Sequence, residues 1–282
     1  MAEALAERIP AELVSADAMQ AYRGLPILTN QSSGTARLVA IWPLDHEGSV
    51  GEYAALAHAE IDEILGAGRT PVVVGGTGLY LRAALAELAL PGRSGERAHW
   101  EAFYDSEGGE AAHARLAELD PAAGALVHPN DRRRVVRALE LAAAGESLAP
   151  AEDRLWSSAS RHPTLVVGLE VPKAELERRI EARTRAMFEA GVTEEARRAL
   201  AGPISETARK TLGLEEAATL PLEEAREAIV LRTRRYAAYQ RKWMRRIPGL
   251  VSVAADRPAG EVADEILEVA RARQLLPAPG GR

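Results

Sequence analysis

The chain has 282 residues, 47% hydrophobic and 27% charged, a globular balance that excludes a disordered tail and allows one large domain or two small ones. It has no cysteine, which excludes disulfide frameworks, thiolate zinc sites and cysteine nucleophiles and fits a reducing compartment, the cytoplasm. The 35 Lys and Arg against 41 Asp and Glu leave a net charge of -6, so the chain as a whole does not read as a nucleic-acid binder.

Met1 to Leu13 alternates Ala and Leu with Glu and Arg instead of following a basic start with an apolar core, so no secretory signal is expected. Nor does any stretch approach the roughly 20 apolar residues that span a bilayer, and no membrane partner is expected. The first apolar run, Leu13-Val14, reads as a buried strand. Residues Glu52 to Leu65 follow as a helix, with Leu56, Ala59, Ile61 and Ile64 at helical spacing, and Gly66 to Thr70 turn it into a second strand at Pro71 to Val74. This alternation predicts an α/β fold with a mostly parallel sheet.

From Leu90 to about His162 the strand signal disappears. Asp120-Pro121 reads as an N-cap with Pro at the first helical position, and Asn130 as the N-cap of a helix running to about Ala144. Residues 92–162 are therefore expected to form an all-helical insertion in an α/β core of residues 1–91 and 163–275. A third strand is predicted at Thr164 to Leu169. Helices then resume over Lys173 to Ala190, near Thr193, and from Leu222 to Arg246, closed by Pro248-Gly249. The last residues, 276–282, are expected to be a disordered tail.

Four segments carry groups suited to chemistry. Ser15-Ala16-Asp17-Ala18-Met19-Gln20 follows the first strand, and ligands of parallel sheets bind beyond the carboxyl ends of the strands. A carboxylate there, Asp17, can act as a general base or hold a metal, or it can simply cap the next helix. Val74-Gly75-Gly76-Thr77-Gly78-Leu79-Tyr80 ends the second strand. Its glycines would let backbone amides approach a phosphate at a helix N-terminus, with Thr77 adding a hydroxyl; the plain alternative is a tight turn with Thr77 as N-cap.

In Asn130-Asp131-Arg132-Arg133-Arg134-Val135-Val136-Arg137, helical spacing puts Arg133, Arg134 and Arg137 on one face and Val135, Val136 and Leu139 on the opposite one. Guanidinium groups suit phosphate because the planar fork donates paired hydrogen bonds, although a charge run on a helix is commonly only a solvated face. A second basic run extends from Arg232 to Arg246, with Arg234, Arg235, Arg241, Lys242 and Arg245 and no acidic residue. Along the same helix Ile229, Thr233, Tyr236, Gln240, Trp243 and Ile247 form one stripe, in which buried Thr233 and Gln240 would need partners.

Taken in order, these segments resemble the tRNA dimethylallyltransferases. The resemblance rests on Ser15 to Gln20 with Tyr22-Arg23-Gly24, on Val74 to Tyr80, on Asn130 to Glu140, and on Thr233 to Ala237 with Gln240 and Trp243. It implies a P-loop-NTPase-like parallel-sheet core with a helical insertion that grips the tRNA anticodon stem-loop. The implied reaction moves the dimethylallyl group of dimethylallyl diphosphate to N6 of the adenosine immediately 3′ of the anticodon. By the same resemblance Asp17 accepts the amine proton and Thr77 contacts the oxygen at the breaking bond. Asp17, Ala18, Met19 and Gln20 would surround the flipped base; Arg97, Arg133, Arg134, Val135, Val136 and Arg137 would touch tRNA. Gly75, Gly76, Thr77 and Arg234 would meet the diphosphate, Mg²⁺ would be the cofactor, and a cytoplasmic monomer is expected.

The chain departs from the family pattern at Ala18, Tyr239 and Lys242, where Ser, a basic residue and Thr are usual. It also contains no Gly-Lys pair. The family's Gly-x-x-x-x-Gly-Lys-Ser/Thr phosphate loop and the strand before it are thus expected to be missing through N-terminal truncation, with activity impaired and the usual Mg²⁺ hydroxyl lost. The rival expectations are a non-catalytic tRNA-binding relative, an adenylate isopentenyltransferase acting on free nucleotides, which would lack the insertion, and a small-molecule kinase, which would need the phosphate loop even more.

Overall fold

A computed structural model of the chain describes residues 1–31, 36–88, 96–149 and 159–276. Its contacts divide into two units, Met1–Glu87 with Leu155–Arg282, and Leu88–Arg154. In the first unit, helix α1 (Ala2–Ala6) leads into strand β1 (Ala11–Ser15), the expected Leu13-Val14 run. Strands β2 (Ala36–Arg37) and β3 (Thr70–Val74) flank β1 in parallel, in the order β2-β1-β3, with Ser15 opposite Val74. The crossover is α2 (Val50–Gly66), begun by the Ser49 hydroxyl accepting from the Glu52 amide, and α3 (Gly78–Leu85) follows β3.

Helix α2 lays Tyr53, Ala57, Ile61 and Ile64 on the sheet, where they join Val14, Ala16, Tyr22 and Trp42 in one apolar cluster. The Tyr53 hydroxyl donates to the Ser15 carbonyl at 2.9 Å, and burial pushes this phenol well above its usual pKa. Tyr53→Phe leaves that buried carbonyl without a donor at the very end of β1. It is expected to cost about 1–3 kcal/mol in urea unfolding, and an unchanged unfolding midpoint would show that the bond contributes nothing.

The described elements of the second unit are all helices: α4 (Arg97–Glu107), α5 (Gly109–Leu119), α6 (Pro121–Leu126) and α7 (Arg132–Ala143). They close around Trp100, Ala112, Leu116, Val127, Val135, Val136 and Leu139. Asp120 caps α6 as expected, accepting from the Ala123 amide at 3.0 Å, with Pro121 at the first helical position. Helix α7 is capped by Asp131 and not by Asn130. The Asp131 carboxylate accepts from the Arg134 amide, whereas the Asn130 amide is taken up in the preceding turn by His128 Nδ1.

The insertion also ends earlier than the expected 92–162. Arg161 donates its amide to Leu85 and pairs with Asp62 at 2.9 Å, and His162 meets the same carboxylate, so both belong to the core. The Arg161 and then the His162 contact hold the Asp62 carboxyl down to about 2.

The chain then continues in the core with β4 (Val167–Glu170), α8 (Lys173–Glu189), α9 (Val192–Ala201), α10 (Glu206–Arg209), α11 (Leu214–Thr219), α12 (Leu222–Met244), β5 (Val251–Ala254) and α13 (Ala259–Ala272). Strands β4 and β5 pair in parallel as a second, two-stranded sheet. Strands β3 and β4 are thus each at a sheet edge, with Val74 and Leu169 exposed. Helices α1 and α13 form a shared layer: Leu5, Val262, Ala263, Ile266 and Leu267 pack with Val253, against Val72 of β3 and Val167 of β4. Leu276, the first residue of the expected tail, also packs there; 277–282 lie outside the described residues.

Candidate active site at two strand ends

Strands β1 and β3 end side by side, and the Ala16 amide extends the pairing to the Val74 carbonyl at 2.7 Å. Asp17 and Thr77 each stand a few residues beyond, so two distant segments of chain meet at one sheet edge, as the sequence predicts. Asp17 Oδ1 accepts from the amides of Met19 at 2.9 Å and Gln20 at 3.4 Å. Residues 18–20 form a turn and not a helix, so this is a side-chain turn and not the helix cap weighed above. Oδ2 has no hydrogen-bond partner among the described residues and is the oxygen open to chemistry.

The neighbours of Asp17 are engaged differently. Gln20 accepts from the Ser15 hydroxyl at 2.8 Å and gives its amide to the carbonyls of Thr29 and Asn30 at 3.1 and 3.0 Å. Ala18 is buried, and Met19 takes a contact from the Thr211 hydroxyl. These three side chains therefore fix the loop around Asp17, and their expected contact with a base is not what holds them in place.

The glycines of Gly75-Gly76-Thr77-Gly78 answer to close packing. A Cβ at Gly75 would stand 2.3 Å from the Ala16 carbonyl oxygen, one at Gly76 2.0 Å from Gln240 Nε2, and one at Gly78 2.1 Å from the Trp243 ring. Helix α12 thus lies hard against the start of α3. Gln240 Nε2 donates to the Gly76 carbonyl at 3.1 Å, which supplies the partner that a polar residue in that stripe requires. Thr77 occupies the N-cap position without capping; its hydroxyl instead meets the Tyr236 hydroxyl at 3.1 Å. The first-turn amides of α3 keep the positive end of a helix at this edge. Protein mass around Tyr236 raises its phenol pKa, although one side of the ring reaches solvent; the Thr77 bond opposes this and the Asp17 charge adds to it.

Arg234 is held by Glu181 of α8, Nη2 to Oε1 at 2.5 Å, while its Nε is buried without a partner among the described residues. A further arginine, on α8, has no clear signal in the sequence. Arg183 directs Nη2 toward the Leu28 carbonyl at 3.5 Å, within electrostatic reach of Asp17, and burial lowers its pKa. Its only signal in the sequence is its spacing from Arg179, one among several arginines on a polar helix.

For Mg²⁺ the fit is poor. Among the described residues no three His, Cys, Asp or Glu side chains gather to hold a metal. One oxygen of Asp17 is taken by amides, and the Thr77 hydroxyl is taken by Tyr236.

On the insertion, Arg133 and Arg134 are exposed, and neither has a carboxylate partner among the described residues. Arg132 is paired with Asp105 at 2.6 Å above the Tyr104 ring, Arg137 with the buried Glu140 at 2.8 Å, and Arg97 with Glu101 at 3.0 Å. Val135 and Val136, placed beside tRNA by the resemblance, are fully buried, and their side chains anchor α7 so that Arg133 and Arg134 face out.

The sequence matches the family model described as IPP transferase over residues 20–247. A tRNA dimethylallyltransferase of Anaeromyxobacter dehalogenans (strain 2CP-C) is 43% identical over 269 residues, covering 90% of each chain. One of Thermobifida fusca is 39% identical over 266 residues, covering 89% of this chain and 82% of its own length. Among solved structures, the full-length tRNA isopentenylpyrophosphate transferase of Bacillus halodurans aligns with a TM-score of 0.69 at 30% identity, over 96% of this chain and 91% of that one. A eukaryotic dimethylallyltransferase acting on tRNA aligns with a TM-score of 0.77 at 22% identity, a likeness of fold, over all of this chain and 77% of its own.

Proposed function

Since the chain belongs to the IPP transferase family, the tRNA dimethylallyltransferases, with their P-loop-NTPase-like fold, we propose that its strand-end site prenylates N6 of the adenosine immediately 3′ of the anticodon. The activity is transfer of a dimethylallyl group to tRNA. The observation that carries the finer reading is the placement of Asp17 and Thr77 a few residues beyond the ends of the paired strands β1 and β3, with Tyr236 and Gln240 of α12 bound to the Gly76-Thr77 turn.

An exocyclic amine is a poor nucleophile because its lone pair is spread into the ring, so a positioned base is needed as its bond to carbon forms. The amine nitrogen attacks the allylic carbon, the carbon–oxygen bond breaks, and its electron pair leaves with diphosphate. Asp17 Oδ2 takes the amine proton. Charge grows on the departing oxygen, where the Thr77 hydroxyl and the positive end of α3 oppose it. Access to the amine requires the base to leave its stack, which costs a few kcal/mol. Phosphate contacts from Arg133 and Arg134, and more weakly from Arg97 and Arg137, offset that cost.

The direct test is incubation with dimethylallyl diphosphate and tRNA, followed by nucleoside mass spectrometry. Prenylated adenosine in tRNA supports the reading; product on free adenine nucleotide alone would favour the adenylate enzyme. Arg133→Ala with Arg134→Ala is expected to weaken anticodon stem-loop binding and to lower the slope of log affinity against log salt by about one to two. Equal slopes for the two proteins would place the RNA elsewhere.

A further inference from the structure

Three successive residues of the turn between β3 and α3 are held by α12, and the three contacts differ in kind. The Gly76 carbonyl accepts from Gln240 Nε2 at 3.1 Å, Gly78 leaves room for the Trp243 ring, and between them the Thr77 hydroxyl meets the Tyr236 hydroxyl at 3.1 Å. Tyr236, Gln240 and Trp243 recur at spacings of four and three, so one face of the helix supplies all three. The Tyr236 contact bears on the chemistry, because Thr77 is the residue set against the departing oxygen.

Thr77 stands at the N-cap of α3 in extended backbone, where a threonine hydroxyl ordinarily accepts from a first-turn amide. It makes no such bond here. A hydroxyl that capped the helix would occupy an amide that opposes charge on the leaving group, so what draws it away matters. Tyr236 is the one partner of this hydroxyl among the described residues.

Either oxygen can donate across that contact, and their chemistry separates the two. The phenol is the stronger acid, and its oxygen, with a lone pair spread into the ring, is the poorer acceptor. Burial above all keeps its pKa raised, so it holds its proton at neutral pH. The favoured arrangement has Tyr236 donating. The Thr77 proton must then point elsewhere, and a hydroxyl that already accepts a hydrogen bond donates more strongly.

We propose that Tyr236 is a positioning residue for prenyl transfer: its hydroxyl donates to Thr77 Oγ1, which turns the Thr77 proton toward the departing oxygen and keeps the side chain off the first-turn amides of α3. The proposal rests on the prenyl-transfer reading and adds the group that acts through Thr77. Both hydroxyls keep their protons as the carbon–oxygen bond breaks; Thr77 meets the growing charge with a hydrogen bond and not with proton transfer.

The test is a double-mutant cycle on the full chain: wild type, Tyr236→Phe, Thr77→Val and the double variant, followed by single-turnover formation of prenylated adenosine in tRNA. Tyr236→Phe keeps the ring and is expected to slow the rate at saturating dimethylallyl diphosphate about three- to tenfold, with little change in the half-saturating concentration. In the Thr77→Val background the same substitution should change the rate less than about twofold, since the hydroxyl it acts through is gone. Equal rates in wild type and Tyr236→Phe, or equal losses in both backgrounds, would overturn the proposal. If wild type forms no prenylated adenosine, the prenyl-transfer reading fails instead, and calorimetric titration of the four proteins with inorganic pyrophosphate decides the role of Tyr236. Affinity should then fall about threefold or more in Tyr236→Phe and be the same in Thr77→Val and the double variant; any other pattern overturns it.

Discussion

In the Asp17→Asn protein, prenyl transfer under single-turnover conditions is expected to be about 10²- to 10⁴-fold slower than in wild type. The substitution keeps the shape of the side chain and leaves an amide oxygen to accept from Met19 and Gln20, as Oδ1 does now. The turn survives and only the basic oxygen is lost. Anticodon stem-loop affinity should not change, because the cations assigned to it lie on the insertion. The measurement is the time course of modified nucleoside with enzyme in excess; a rate equal to wild type would remove Asp17 from the chemistry.

The second large effect is on stability. Glu195 of α9 is buried, and its two oxygens accept from the amides of Ile27 at 2.9 Å and Leu28 at 2.8 Å. Glu195→Ala strands both donors beneath Leu25, Leu28, Val192 and Leu214. Each stranded donor costs about 1–3 kcal/mol, so the sum is a large part of a total stability of about 5–15 kcal/mol. Glu195→Gln should cost less, since one amide oxygen still accepts. Urea unfolding of the two variants decides it: a midpoint unchanged in Glu195→Ala would mean that water replaces the carboxylate. If the loop loosens as expected, Arg183 loses its Leu28 contact.

Much of this was legible in the sequence because local rules and tertiary packing agree. Leu13-Val14 and Pro71 to Val74 are strands, Glu52 to Leu65 lies inside α2, and Asp120-Pro121 begins a helix, each decided by the residues themselves. The placement of Asp17 and Thr77 beyond neighbouring strand ends followed from two parallel strands ending side by side. What stayed hidden depends on partners distant in the chain. Strand β2 is two residues long and exists only because it pairs with Leu13 and Val14. Strand β5 follows the Pro248-Gly249 turn and is fixed by its pairing with Val167 to Glu170. Arg183 differs from Arg178, Arg179 and Arg185 only in what stands opposite it. The helix cap is Asp131 and not Asn130, its carboxylate accepting from the Arg134 amide, a choice between two good capping residues that composition does not make.

The close fit of α12 against the Gly76-Thr77-Gly78 turn has a consequence for how this chain can change over time. No side chain fits at Gly76 unless Gln240 withdraws, or at Gly78 unless the Trp243 ring does. A side chain added alone at Gly76 or Gly78 meets a steric barrier that a simultaneous exchange at 240 or 243 avoids. Across relatives, positions 76 with 240 and 78 with 243 should therefore vary jointly or stay fixed, a pattern of linked inheritance set by packing alone and independent of which tRNA is modified.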